Sequence, residues 1–124
     1  MNIDLMDEMD AVEVAYGALA HAVRAAGIAA NSLAGAKSDL DCERALALAE
    51  GIEAKNEAMR EAALRVRFAD DYENVAFLER QARETRLSAE LAQLEVDRVR
   101  LRVRLMELAA GSIGLGLLNA ACLT

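Results

Sequence analysis

Proline and tryptophan are absent from all 124 residues, aromatic residues make up only 3% of the chain, and histidine occurs once. Average usage of about 5% would place roughly six prolines in a chain of this length, so the strongest helix breaker is missing throughout. The shortage of aromatics means that any core is built from Ala, Leu, Val, Ile and Met, small aliphatic side chains that favour close helix packing. Cys42 and Cys122 are the only cysteines. They stand far apart in sequence with no partner at metal-ligand spacing, which argues against a zinc site or a disulfide scaffold. A reduced, cytoplasmic protein is the expectation, because the N-terminus opens on acidic residues rather than on a basic stretch and an apolar run.

What is present is apolar and acidic. Hydrophobic residues make up 55% of the chain and the formal net charge is -7. That balance repels nucleic-acid phosphates at long range, so direct nucleic-acid binding is not expected. The length suits a single helical domain, taken as residues 1–110, followed by an uncharged, glycine-containing apolar tail at 111–124.

The first third carries the clearest periodicity. Leu5, Met9, Val12, Tyr16, Leu19, Val23, Ala26, Ala30 and Leu33 follow alternating steps of four and three, the spacing of a heptad seam. A first helix is expected over about 4–33, its acidic first turns matching the positive end of the helix dipole. Asn31, Ser32, Gly35, Lys37 and Ser38 read as a turn, and Ser38 with Asp41 resembles a capping box, so a second helix is expected over about 39–69. Its buried face would be Ala45, Leu48, Ile52, Met59, Ala62, Val66 and Ala69, with Gly51 a tolerated weak point. Asp70 and Glu73 have the spacing of an N-cap and its reciprocal partner, which places a break there and a third helix over about 71–110. One uninterrupted helix from 39 to 110 is the alternative.

Two seams run along the third helix, and the first begins upstream of it and crosses the expected break without slipping, which is what keeps the uninterrupted helix as an alternative. One runs Leu64, Phe68, Asp71, Val75, Leu78, Ala82, Thr85, Ala89, Ala92, Val96, Val99, Val103, Met106; the other runs Leu87, Leu91, Leu94, Leu101, Leu105, Leu108, with Arg98 at one of its positions. Two residues along a helix turn it by roughly 200°, so Leu101 and Val103 point nearly opposite ways and the helix needs two neighbours. Val99, Leu101, Val103 and Leu105 also alternate with arginines, the period of a strand. Strong helix formers flank that run and no turn residues bound it, so a two-sided helix explains the same letters better.

The fold expected is therefore all-α, with long antiparallel helices in a two- or three-helix hairpin or bundle, coiled-coil seams, and association into an oligomer. An up-down-up path would bring Cys42 and Cys122 to one pole. The surface expected to carry association comprises Val12, Tyr16, Leu19, Val23, Leu91, Leu94, Leu101, Leu105, Val99, Val103 and, in the tail, Ile113, Leu117 and Leu118. Gly111 is expected to stop the third helix. The uncharged tail after it reads as packing onto a helical end or a partner, with membrane contact a weaker reading.

No catalytic constellation assembles in the sequence, and no cofactor or metal is expected. His21 lies off the main seam and reads as a surface residue. Cys42 has no histidine at helical spacing to activate it. Glu50, Glu53, Glu57 and Glu61 fall at three- and four-residue steps, the geometry of carboxylate metal bundles, but the Glu-x-x-His pairs those sites need are missing. A solvated face paired with Lys55, Arg60 and Arg65 is the simpler reading. Arg98, Arg100, Arg102 and Arg104 form a basic cluster among Glu95, Asp97 and Glu107, without interleaved aromatics for base stacking; ion pairing within or between subunits fits it better. The glycines at 111, 114 and 116 have no following lysine and no preceding strand, and are not a phosphate loop.

Function reduces to three classes. The first is a non-enzymatic interaction or assembly module that self-associates and serves a protein partner the sequence does not name. The second is a small acidic inhibitor, or a secretion or assembly chaperone, that binds a basic protein. A membrane-associated protein is the third, disfavoured by Arg24 and His21 in the middle of the first helix.

Overall fold

The computed structural model of the chain describes the backbone of residues 5–123 and the side chains of residues 6–111. Three helices account for it: α1 (Leu5–Glu50), α2 (Glu57–Arg67) and α3 (Ala69–Leu123). No strand occurs among the described residues. The fold is all-α, with long helices α1 and α3 packed together.

The turn expected at 31–38 is not there; α1 runs through it. Asn31, Ser32 and Gly35 each disfavour a helix interior by about 1 kcal/mol or less, while Leu33, Ala36 and Leu40 keep burying surface across the same stretch. Tertiary burial outweighs local propensity, and no proline forces a stop. The up-down-up path falls with that turn, and with it the argument for bringing Cys42 to Cys122, whose side chain lies outside the described residues.

The reversal occurs instead at residues 51–56. Gly51 adopts φ +93°, a conformation that costs a side-chain-bearing residue energy but not glycine. Its N–H donates to the Leu48 carbonyl at 3.2 Å, closing α1. Five residues on, the Asn56 side chain accepts from the Met59 N–H at 2.9 Å and opens α2. A break is present close to the expected one, but at Phe68, between Arg67 and Ala69, and Asp70 is not its N-cap. Phe68 caps α2 by donating its N–H to the Leu64 carbonyl, and Asp70 and Asp71 then sit in the first turn of α3. Gly111 does not end α3, which continues to Leu123: among the described residues Gly51 alone takes positive φ, and Ala109 and Ala110 before Gly111 favour continuation.

The chain divides into two compact units. The first joins α1 up to Ala22 with α3 from Ser88 onward. Its core is Ala15, Val96 and Val99, with Ala11, Val12 and Leu19 packed against it. Glu8 pairs with Arg102 at 3.0 Å, so the segments run antiparallel: earlier positions in α1 meet later ones in α3.

The second unit, Val23–Leu87, contains the reversal and all of α2. Leu40, Ala47 and Leu64 are its buried apolar residues, Leu64 fully so. Around them Arg44 ties the three helices together. It donates one hydrogen bond to the Tyr72 hydroxyl and another to Glu61 Oε1 at 2.5 Å, while the Arg65 guanidinium lies 5.2 Å from the centre of the Tyr72 ring, within cation–π range. Thr85 occupies a half-buried seam position, and its hydroxyl is satisfied by the Gln81 carbonyl at 2.8 Å. The face expected to be buried in the second helix points outward: Leu48, Met59 and Val66 are exposed.

Candidate functional site

Which apolar residues are used inside the chain, and which are left outside, defines the site. In α1 the buried and half-buried positions include the series Val12, Ala15, Leu19, Ala22, Ala26, Ala29, Leu33, Ala36 and Leu40. These keep heptad spacing and share Val12, Leu19, Ala26 and Leu33 with the expected seam. Its other half is rotated by one residue: Ala15, Ala22 and Ala29 face inward in place of Tyr16, Val23 and Ala30, because alanine lets the helices approach closely. Met9, Tyr16 and Val23 are consequently exposed.

α3 resolves its two seams as the sequence suggests. Val75, Leu78, Ala82, Thr85, Ala89, Ala92, Val96, Val99, Val103 and Met106 are buried or half-buried, whereas Asp71, expected among them, is exposed. Leu91, Leu94, Leu101, Leu105 and Leu108, on the other seam, are each 58–64% exposed, and Leu87 one turn earlier is 56% exposed. At 100° per residue the centres of the two seams stand roughly 150° apart around the helix, so packing on α1 does not cover the leucines.

The expected interaction residues therefore divide. Val99 is in the core of the first unit, with Val12 and Leu19 packed on it, and Val103 is half-buried; these serve intrachain packing. Tyr16, Val23, Leu91, Leu94, Leu101 and Leu105 remain outward. Ile113, Leu117 and Leu118 lie outside the described side chains.

The leucine face is flanked by charge. On one side Leu101 and Leu108 line an open groove with Asp97, Arg100, Arg104 and Glu107, closed on its far wall by Val12 and Tyr16. On the other, Leu101 and Leu105 lie beside Arg98, Arg102 and Met106. Arg98, at the charged position of the seam, donates two hydrogen bonds to Glu95, at 2.9 and 2.6 Å. Hydrogen bonding from Arg98 holds the Glu95 carboxyl below the usual glutamate range, and the same bond pushes the Arg98 guanidinium up. Gln93 donates to Asp97 at 3.0 Å. The arginine cluster thus splits: Arg98 and Arg102 hold intrachain carboxylates, and Arg100 and Arg104 line the groove.

The acidic row does not form. Glu50 ends α1, Glu53 lies in the reversal, Glu57 starts α2, and Glu61 sits one turn into α2. Chain reversal at Gly51 separates them, and their partners differ from those expected: Glu61 pairs with Arg44 and Glu50 with Arg67 at 3.7 Å. A different acidic pair, invisible to spacing within one helix, is made by packing. Glu43 of α1 hydrogen-bonds Asp71 of α3, and that bond, together with repulsion between the two carboxylates, pushes the Glu43 carboxyl above its ordinary range. Asp39 and Asn74 border the same shallow depression.

Among the described residues no group of three or more His, Cys, Asp and Glu side chains is placed to hold a metal ion, and no helix is long and apolar enough to cross a membrane. His21 and Cys42 are exposed. No protein family, curated protein or solved structure matches the chain.

Proposed function

We propose that this chain is a non-enzymatic helical assembly module that self-associates through the leucine face of α3. The observation that carries the reading is the heptad-spaced series Leu91, Leu94, Leu101, Leu105 and Leu108, with more than half of each side chain's surface exposed. Single exposed leucines are ordinary on protein surfaces. A stripe of them at coiled-coil spacing, interrupted by Arg98 alone, is not, since water-exposed leucine contributes nothing to folding and promotes aggregation unless a partner covers it. Burial of a leucine side chain is worth about 1.5–3 kcal/mol, so covering the stripe supplies the driving force for association. Tyr16, beside the same groove, adds an amphipathic ring of the kind enriched at interfaces.

Binding without catalysis fits the open, shallow grooves beside this face, whose side chains are chiefly leucines, arginines and carboxylates. A reduced cytoplasmic setting belongs to the same proposal. Light scattering on the full chain tests the reading: the expected mass is that of a dimer or larger, and Leu94→Asp or Leu101→Asp shifts it to the monomer with helicity retained. A monomeric mass for the unsubstituted chain at every accessible concentration overturns it.

A further inference from the structure

This inference rests on the proposed self-association and fixes its geometry. Along the exposed face, Leu91, Arg98 and Leu105 take one core position of the heptad and Leu94, Leu101 and Leu108 the other. Glu95 and Arg102 border one side of the stripe, and Asp97 and Arg104 the other. Each border therefore carries an acid one heptad before a base.

We infer that two copies of this chain pair antiparallel through this face of α3, in the register that sets Leu91 against Leu108, Leu94 against Leu105 and Arg98 against Leu101 of the second copy. An antiparallel pair matches each border with itself, running the other way. In this register Asp97 meets Arg104 of the second copy and Glu95 meets Arg102 of the second copy; two-fold symmetry repeats both pairs. Acid before base in sequence becomes acid against base across the interface.

Neighbouring registers fail on the same residues. A slip of one heptad in one direction sets Asp97 against Asp97 and Glu95 against Glu95; a slip in the other sets Arg104 against Arg104 and Arg102 against Arg102. A parallel pair fares worse at the core, where Arg98 would face Arg98, and at the border, where Glu90 would face Glu95. Like charges across an interface select against a pairing. The chosen register instead lays the aliphatic stem of Arg98 against Leu101 of the second copy and leaves its guanidinium at the edge with Glu95. Glu95 and Arg102 already have intrachain partners in Arg98 and Glu8. A carboxylate has lone pairs for more than one donor and a guanidinium has five N–H groups, so both bonds can be made together. The paired segment, Leu91–Leu108, spans roughly 26 Å of helix.

Thiol pairing on a Cys42→Ser, Cys122→Ser background reads the register. Chains carrying Leu94→Cys are mixed with chains carrying Leu105→Cys under mild oxidation. Both positions are exposed in the single chain, so neither change threatens the fold. Disulfide-linked dimers are expected in the mixture and not from either variant alone, since bridging needs Cα atoms within about 7 Å. Self-linkage of the Leu94→Cys chain, or no linkage in the mixture, overturns the register while a dimeric mass by light scattering leaves the assembly reading standing. A monomeric mass overturns both.

Charge exchange gives a second, independent readout. Asp97→Arg is expected to weaken dimerisation about tenfold or more, and adding Arg104→Asp to restore it to within about twofold. Rescue by Arg102→Asp in place of Arg104→Asp is the signature of a parallel pair and overturns the inference.

Discussion

The two compact units are held together by different chemistry. Val23–Leu87 uses directional contacts: Arg44 bridges Tyr72 and Glu61, Arg65 stacks over the Tyr72 ring, and a fully buried Leu64 anchors α2. The other unit buries Ala15, Val96 and Val99 and shows no comparable cluster of aromatic and guanidinium groups among its described residues. Along its stretch of α3 the ordering of side chains by size is inverted, with Ala89, Ala92, Val96, Val99 and Val103 turned inward and Leu91, Leu94, Leu101, Leu105 and Leu108 outward. Hydrophobic stabilisation grows with the apolar area removed from water. A helix that turns its small residues inward and displays its leucines has gained only part of the burial open to it, and the remainder is available to a partner.

Substitution of a carboxylate for an apolar residue should separate the two faces of α3 and give the largest effect. Val96 is 1% exposed, and Val96→Asp buries an unpaired charge at a cost of about 3 kcal/mol or more, so helicity and cooperative unfolding are lost. Leu101→Asp lies on the uncovered face and should leave the circular dichroism of the monomer intact while abolishing association. Loss of helicity in both variants would mean that Leu101 supports the intrachain fold and that the faces are not independent. In the other unit, Leu64→Ala is expected to cost about 2–5 kcal/mol without changing the oligomeric mass beyond what unfolding causes.

Next in size is the arginine–tyrosine cluster. Tyr72→Phe keeps the ring near Arg44 and Arg65 and removes only the hydroxyl that accepts from Arg44; a loss of about 1 kcal/mol is expected for one partly exposed hydrogen bond. Tyr72→Ala removes the ring as well and should cost about 2 kcal/mol more. Equal losses for the two variants, measured by urea denaturation, would show that the ring contributes nothing beyond its hydroxyl.

Much of this arrangement is legible in the residues, and the remainder is not for identifiable reasons. The two seams of α3 follow from spacing alone, because every position from Val75 to Met106 on one seam and every leucine from Leu87 to Leu108 on the other keeps its step. Periodicity in α1 places Val12 and Leu19 inward but does not decide between Ala15 and Tyr16 beside them. Hydrophobicity favours tyrosine; the close approach of α3 selects alanine, and that requires knowing the partner helix. The reversal had a signal of its own, a glycine followed five residues later by an Asn at an N-cap. Asn31, Ser32 and Gly35 offered a stronger cluster of turn formers, and the burial of Leu33 and Leu40 against α3 overrode it. Arg44, Glu61 and Tyr72 come from three helices, and Glu43 and Asp71 from two, so no spacing within one segment could have joined them.

Glycine substitution sharpens the contrast between the reversal and the helix it ends, at about 1 kcal/mol. Gly51 at φ +93° has open space around it, so Gly51→Ala is opposed by backbone strain alone and should destabilise by about 1 kcal/mol. Gly27 also has nothing within 4 Å of an added Cβ, but it sits in the helical stretch that the sequence suggests is broken nearby. Gly27→Ala should therefore stabilise by about 0.5–1 kcal/mol. Opposite signs in thermal denaturation confirm a turn at 51 and a continuous helix through 27; a destabilising Gly27→Ala would contradict the helix.

The smallest effect expected is in the acidic pair, and it is read as a change in pH dependence. Glu43 hydrogen-bonds Asp71 and is repelled by its charge, and both raise the Glu43 pKa above the ordinary value of 4.5. A carboxyl whose folded pKa is raised binds its proton more tightly in the folded than in the unfolded chain. Its contribution to stability is fully present below the ordinary value and is lost as the pH climbs through the raised one. Above that window the two carboxylates are both charged and repel. Glu43→Gln replaces the shared proton with an amide N–H that donates to Asp71 at every pH, so the variant should melt higher than the parent at neutral pH. Its stability should also fall less than the parent's as pH rises from 4.5 through the folded value. Asp39→Asn, which removes the weakest of the influences on Glu43, should move the same curve in the same direction by less. Melting curves of the three proteins across that range decide it: parallel curves for parent and Glu43→Gln would mean that Glu43 and Asp71 do not share a proton, and that the acidic pair between α1 and α3 is an accident of side chains rather than a feature of their packing.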